Sequence, residues 1–180
     1  MSGPPHRVGE SVWTMACGVR KCYNEPLPSL TPEPLMSTFD STERDAFFHA
    51  FLLCLLWSTT DEDDTHLDNN YDLGDLHPGT VAGLRQQCDA FLDANAADIQ
   101  AVIKEVPEYT LSSAGHDLAL SRNGHGSGFF DCGVEWVEDR LQAAAEAQGP
   151  AEAYVGDDGL VYVVGLETFE ASKPRSGPRP

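Results

Sequence analysis

The sequence predicts an α+β fold in which N-terminal helices are followed by a small antiparallel sheet, two β-hairpins separated by a helix. Three observations carry that expectation. Apolar side chains keep helical spacing through two long stretches between residues 41 and 103. Two turn signatures, Asn123-Gly124 and Asp157-Asp158-Gly159, each stand between short strand-like runs. A third helical stretch lies between those two turns. A chain of 180 residues suits one domain with its own core.

Residues 1–35 contain Pro4, Pro5, Pro26, Pro28, Pro32 and Pro34 and show no sustained period, so a disordered tail is expected there. Met36 looks like a natural beginning for the folded body, because Asp40 and Glu43 stand in capping-box spacing ahead of the first helix. That helix is expected over about Ser41 to Trp57, with Phe47, Phe48, Phe51, Leu52, Leu55 and Leu56 on one broad apolar face. A polar loop follows from Ser58 to Leu76. His77-Pro78 then opens a second helix along Val81, Leu84, Cys88, Phe91, Leu92, Ile99 and Val102, with a restart at Asn95 to Asp98 and an end at Pro107.

The stretch from Ala114 to Asp131 reads as two strands folded about Asn123-Gly124. With a two-residue loop, Arg122 faces His125, Leu120 faces Ser127, Leu118 faces Phe129 and His116 faces Asp131. A three-residue loop would oppose Asp117 and Asp131, two like charges, and is disfavoured. The other face (Ala119, Ser121, Gly126 and Gly128) offers a bare shelf for a helix. A third helix follows over about Val134 to Gln148, stopped by Gly149-Pro150, and a second hairpin pairs Ala153-Tyr-Val with Leu160-Val-Tyr-Val. The domain is expected to span 36–170, with a flexible basic tail at 171–180.

Charge is unevenly spread. Between Met36 and Ala171 there are 26 acidic side chains against five basic ones, a net of −21 before histidines. Such a body repels nucleic acid and anionic membranes and attracts basic protein surfaces. Acidity in the polar loop is densest at Asp61, Glu62, Asp63, Asp64, Asp68, Asp72 and Asp75, which are the expected partner-binding residues. A solvated surface is the plainer reading of the same run. An EF-hand counted from Asp61 would place His66 where glycine must turn and Asp72 where a bidentate Glu belongs, which argues against calcium. Arg122, Asn123 and His125 at the expected hairpin tip form a basic spot on this acidic body and a second candidate contact.

Five cysteines are scattered with no CxxC pair, as expected for reduced thiols in a cytoplasmic protein. Cys54 and Cys88 fall in apolar stripes and read as core, and Cys17 and Cys22 lack a second ligand pair for zinc. Ala46 to Trp57 is apolar but falls short of the roughly 20 residues that span a bilayer. No cofactor is expected.

Enzymatic chemistry finds little support. At about 3.3 Å per residue, His116 and Asp131 at the open end of the expected hairpin lie roughly 20 Å from Arg122 and His125, too far for one metal. A His116-Asp131 pair, aided by Asp117, leaves a small hydrolytic or metal-binding enzyme as the alternative. A wholly structural role for the motif is a third reading.

Ala114-Gly-His-Asp, Arg122-Asn-Gly-His-Gly and Gly128-Phe-Phe-Asp131, with the acidic loop after Trp57 and the hairpin at Tyr154, resemble a group of small acidic proteins of bacteriophages and high-GC prophages. The resemblance covers about Met36 to Val164. It implies a phage context, the cytoplasm of an infected or lysogenic cell and the α+β layout, and it implies no reaction. Leu118 and Ala119 stand where the group commonly has aromatic residues, and Cys132 where it commonly has a basic one.

Overall fold

The structure, a computed structural model, describes residues 38–164 and Leu166. The expected tails at 1–35 and 171–180 lie outside those residues, as do Cys17 and Cys22. Among the described residues, four helices and one two-stranded antiparallel sheet make an α+β body. The helices are α1 (Ser41–Ser58), α2 (Pro78–Glu105), α3 (Leu111–Arg122) and α4 (Glu135–Ala147), and the strands are β1 (Ala153–Val155) and β2 (Val161–Val163). Among the described residues no helix is long and apolar enough to cross a membrane.

Helix α1 begins as its sequence demands. Asp40 Oδ1 accepts from the Glu43 amide at 2.9 Å while Glu43 Oε2 accepts from the Asp40 amide at 2.8 Å, a closed capping box. The helix is buried on most sides, and Phe47, Phe51, Cys54 and Leu55 are fully enclosed. Helix α2 starts with Pro78 at its first position and His77 Nδ1 accepting from the Gly79 amide. It bends at Asn95, whose φ of −117° and ψ of 16° leave the helical region. There the Asn95 side-chain amide donates to Phe91 O at 2.9 Å, satisfying a carbonyl at the bend. The rings of Phe47 and Phe91, and of Phe91 and Phe129, stack through the centre of the core.

The first expected hairpin does not exist. Residues 111–122 form α3, capped by a reciprocal Thr110-Ser113 box, and Phe129–Asp131 form a single 3-10 turn. Asn123-Gly124 ends this helix instead of turning a hairpin. Gly124 takes φ +67°, its amide donates to Ser121 O, and the His125 amide donates to Leu120 O, the paired bonds of a Schellman cap. The strand register, the 20 Å separation and the bare shelf fall with the hairpin. Leu111, Ala114, Gly115, Leu118, Ala119 and Arg122 recur every three or four residues, which is the helical period that the alternation of His116, Leu118, Leu120 and Arg122 disguises.

Small residues on α3 allow it to lie directly on α1. A Cβ added at Gly115 would stand 2.2 Å from the Phe47 carbonyl oxygen and 3.2 Å from the Phe51 nitrogen, so backbone meets backbone there. Gly128 is held as closely against Ser121, at φ +135°, and Ser121 Oγ accepts from the Phe129 amide at 2.9 Å. This contact returns the chain after α3 and delivers Phe129 to the core.

The second hairpin forms with shorter strands than expected. Ala153 pairs with Val163, Tyr154 with Tyr162 and Val155 with Val161, and Asp158 organises the turn by accepting from the Leu160 amide and the Tyr162 hydroxyl. On its far side β2 is joined to the body by a bridge from Leu76 to Val161 and by the His77 amide donating to Val161 O.

Two predictions follow from this packing. Gly115→Ala drives a methyl group into the Phe47 peptide and should destabilise the fold by about 3 kcal/mol, the upper end of overpacking costs, measured by urea unfolding. Asn123→Ala removes the bond donated by the Ala151 amide (2.8 Å) and the one accepted by Ala151 O (3.3 Å) and should cost about 1–3 kcal/mol. A neutral result for either variant contradicts the packing assigned to that residue.

Candidate functional site

The chain after α1 turns back sharply on itself. Thr60 bridges to His66, the Leu67 amide donates to Thr59 O, and Asp61 Oδ1 accepts from the amides of Asp63 and Thr65 at 3.0 Å each. A second acidic turn follows, in which Asp72 Oδ1 accepts from the Gly74 amide and Asp75 Oδ2 from the Asp72 amide. Asp61, Asp72 and Asp75 are therefore structural caps. Glu62, Asp63, Asp64 and Asp68 remain exposed and accept no side-chain hydrogen bond from any described residue.

Positive charge is spent elsewhere. No Lys or Arg occurs between Arg44 and Arg85. Arg44 pairs with Asp89 at 3.1 Å and with Asp93, Arg85 with Asp45 at 2.6 Å and Asp89 at 3.0 Å, and Arg140 with Asp98 at 2.6 Å. These pairs neutralise acids of α1 and α2, and among the described residues no Lys or Arg pairs with the 62–68 carboxylates. Beside that segment Trp57 is 52% exposed and stacks on His66 with ring planes 4° apart. A cleft of about 460 Å3 separates Thr60, Asp61, Glu62 and Leu67 from Ala153, Tyr154 and Val155 of β1.

The expected basic tip is dismantled. Arg122 is buried at 6% exposure, donates from Nε to Gly149 O at 2.8 Å and lies over the Phe51 ring. Burial lowers its pKa, and its Nη1 is enclosed without a partner among the described residues. Asn123 clamps Ala151 as described, and both residues thus hold the α4-to-β1 connection in place. His125 alone of the three is exposed.

The residues of the enzymatic alternative are also rearranged. His116 is exposed on α3, while Asp131 Oδ1 accepts from the Gly128 amide and so caps the 3-10 turn. Asp117 is placed within electrostatic reach of Asp131. Half-buried, Asp117 accepts a short hydrogen bond from the Tyr109 hydroxyl. Burial raises its pKa to about 6, with Asp131 adding to the rise and the Tyr109 bond opposing it. Tyr109 is itself shifted upward, by burial first and then by Asp117. Tyr109 precedes the Thr110 cap and lies outside α3, so no helical spacing in the sequence pointed to this pair. Cys54, Cys88 and Cys132 are buried thiols, the first two pushed up to about 12 by burial, which makes them poor nucleophiles. Among the described residues no three His, Cys, Asp or Glu side chains gather in a metal-binding arrangement.

Asp117 yields a pH prediction. A carboxyl raised in the folded state favours folding most below its ordinary pKa of about 3.9, and that contribution is lost as pH rises through about 6. Asp117→Asn keeps an oxygen for Tyr109 and loses the charge. Its melting temperature should therefore gain a few degrees on the wild type between about pH 4.5 and pH 7.5, followed by circular dichroism. A difference that stays flat or narrows over this range contradicts the assignment.

Comparison with known proteins yields no match: no family model, curated protein or solved structure aligns significantly with the chain.

Proposed function

We propose that this chain is a non-enzymatic interaction protein that presents the surface around Glu62, Asp63, Asp64 and Asp68 to a basic protein. The observation that carries this reading is the allocation of charge: every arginine among the described residues is held by a carboxylate or a carbonyl elsewhere, and the 62–68 carboxylates stand exposed with none. Exposed like charges raise the local potential and steer an oppositely charged protein toward the surface. Trp57, at the edge of this surface, supplies the large apolar contact on which interfaces commonly depend. In its sharpest form the protein is a nucleic-acid mimic that occupies the basic face of a DNA-binding or defence protein. The phage resemblance gives that form its context, in the cytoplasm of an infected or lysogenic bacterium.

A charge-reversed chain tests the reading. Wild type and a variant carrying E62K, D63K, D64K and D68K are immobilised and challenged with host and phage proteins. Basic proteins should bind the wild type at low salt and be released as the Debye length shrinks from about 30 Å at 0.01 M to about 3 Å at 1 M. The variant should retain none of them. Capture that ignores both salt and charge reversal would overturn the proposal.

A further inference from the structure

The cleft beside the acidic turn has an open strand edge for one wall. In an antiparallel pair, residues alternate between directing their N–H and C=O groups at the partner strand and away from it. The Gly156 amide donates to Leu160 O and the Val164 amide to Glu152 O, which sets Glu152, Tyr154 and Gly156 as the residues of β1 and its flanks that face β2. Ala153 and Val155 consequently direct their backbone groups outward. Both line the cleft, and no hydrogen bond to another described residue occupies those groups. The outer edge of β2 is already engaged by Leu76 and His77, so among the described residues β1 carries the open edge of this sheet.

We infer that β1 accepts an extended, basic segment of a partner protein as a third strand, seated between β1 and the Thr60-Asp61-Glu62 wall. Unpaired strand edges are templates for such pairing, with backbone bonds supplying affinity and side-chain contacts supplying selectivity. The opposite wall selects the charge. Glu62 lines the cleft and Asp63, Asp64 and Asp68 continue the same acidic segment, so alternate side chains of the incoming strand that face this wall are Lys or Arg. Tyr154, stacked on Tyr162, lines the same cleft. This inference rests on the acidic-surface reading above and adds to it the conformation of the bound partner.

Two fluorescent ten-residue peptides of equal charge, one alternating Lys with Val and one alternating Lys with Pro, are titrated into the full chain. The first can form a strand ladder and the second cannot. The Lys-Val peptide should bind at least tenfold tighter, and its addition should protect the Ala153 and Val155 amides of the unmutated chain from hydrogen exchange. Val155→Pro removes an outward donor while leaving the β2-facing groups intact, and should weaken the Lys-Val peptide about tenfold without affecting the Lys-Pro peptide. Should this variant misfold, the exchange measurement on the wild type still decides the question. Equal binding of both peptides, abolished by the 62–68 charge reversal with no amide protection, overturns the added strand and leaves the acidic surface standing. Binding of neither peptide, or binding indifferent to charge reversal, overturns both readings. A concentration-dependent dimer that protects the same amides without peptide would make a second copy the occupant and overturn the basic partner.

Discussion

The close approach of α3 to α1 at Gly115 is the constraint on which the rest of the body depends. Helix axes separated by ordinary side chains lie about 8–10 Å apart, and a glycine facing a carbonyl brings them nearer. With backbone touching backbone at Phe47, the flanking Ala114, Leu118 and Ala119 are sealed against the aromatic face of α1. The end of α3 is thereby fixed, and with it Ser121, Arg122 and Asn123. Through them the loop of Phe129 and the connection at Gly149 to Ala151 find their places, and β1 follows directly from that connection. The wall of the cleft is thus built, step by step, on one missing side chain.

Electrostatics divides the surface into satisfied and unsatisfied regions. The four arginines among the described residues cannot neutralise so many carboxylates, and their placement decides where charge remains in this body. Each ion pair on a partly exposed surface contributes modestly, on the order of 0–1 kcal/mol, so their stabilising effect is small. Their consequence for recognition is larger, because counter-charge fastened to α1 and α2 is withheld from the turn after α1. Arg122 is the extreme case, taken out of the surface altogether and used as a hydrogen-bonding strut against the Gly149 carbonyl.

Much of the fold was legible in the residues. Asp40 and Glu43 announced α1, His77-Pro78 announced α2, Asn95 marked its bend, and Asp157-Asp158-Gly159 marked the observed hairpin. Helix α3 was misread for a physical reason. Beside Leu111, Leu118 and Arg122, its buried stripe holds Ala114, Gly115, Ala119 and Ser121, small residues suited to close approach that carry little hydrophobic signal; the alternating His116, Leu118 and Leu120 then imitate a strand. Asn-Gly is equally at home in a helix cap and a hairpin, because both require a positive φ. The acidic wall of the cleft was visible as composition. Its other wall was not, since Ala153 and Val155 meet Thr60 to Leu67 only after the chain has folded across some ninety intervening residues.

The bend at Asn95 separates two differently moored halves of α2. Ahead of it, Asp89 and Asp93 are tied to Arg44 on α1; behind it, Asp98 is tied to Arg140 on α4. Between the two stands one residue outside helical geometry, whose side-chain amide bonds the Phe91 carbonyl across the break. The aromatic stack through Phe91 thus belongs to the half moored on α1, and Asn95 marks the point where that mooring gives way to the one on α4.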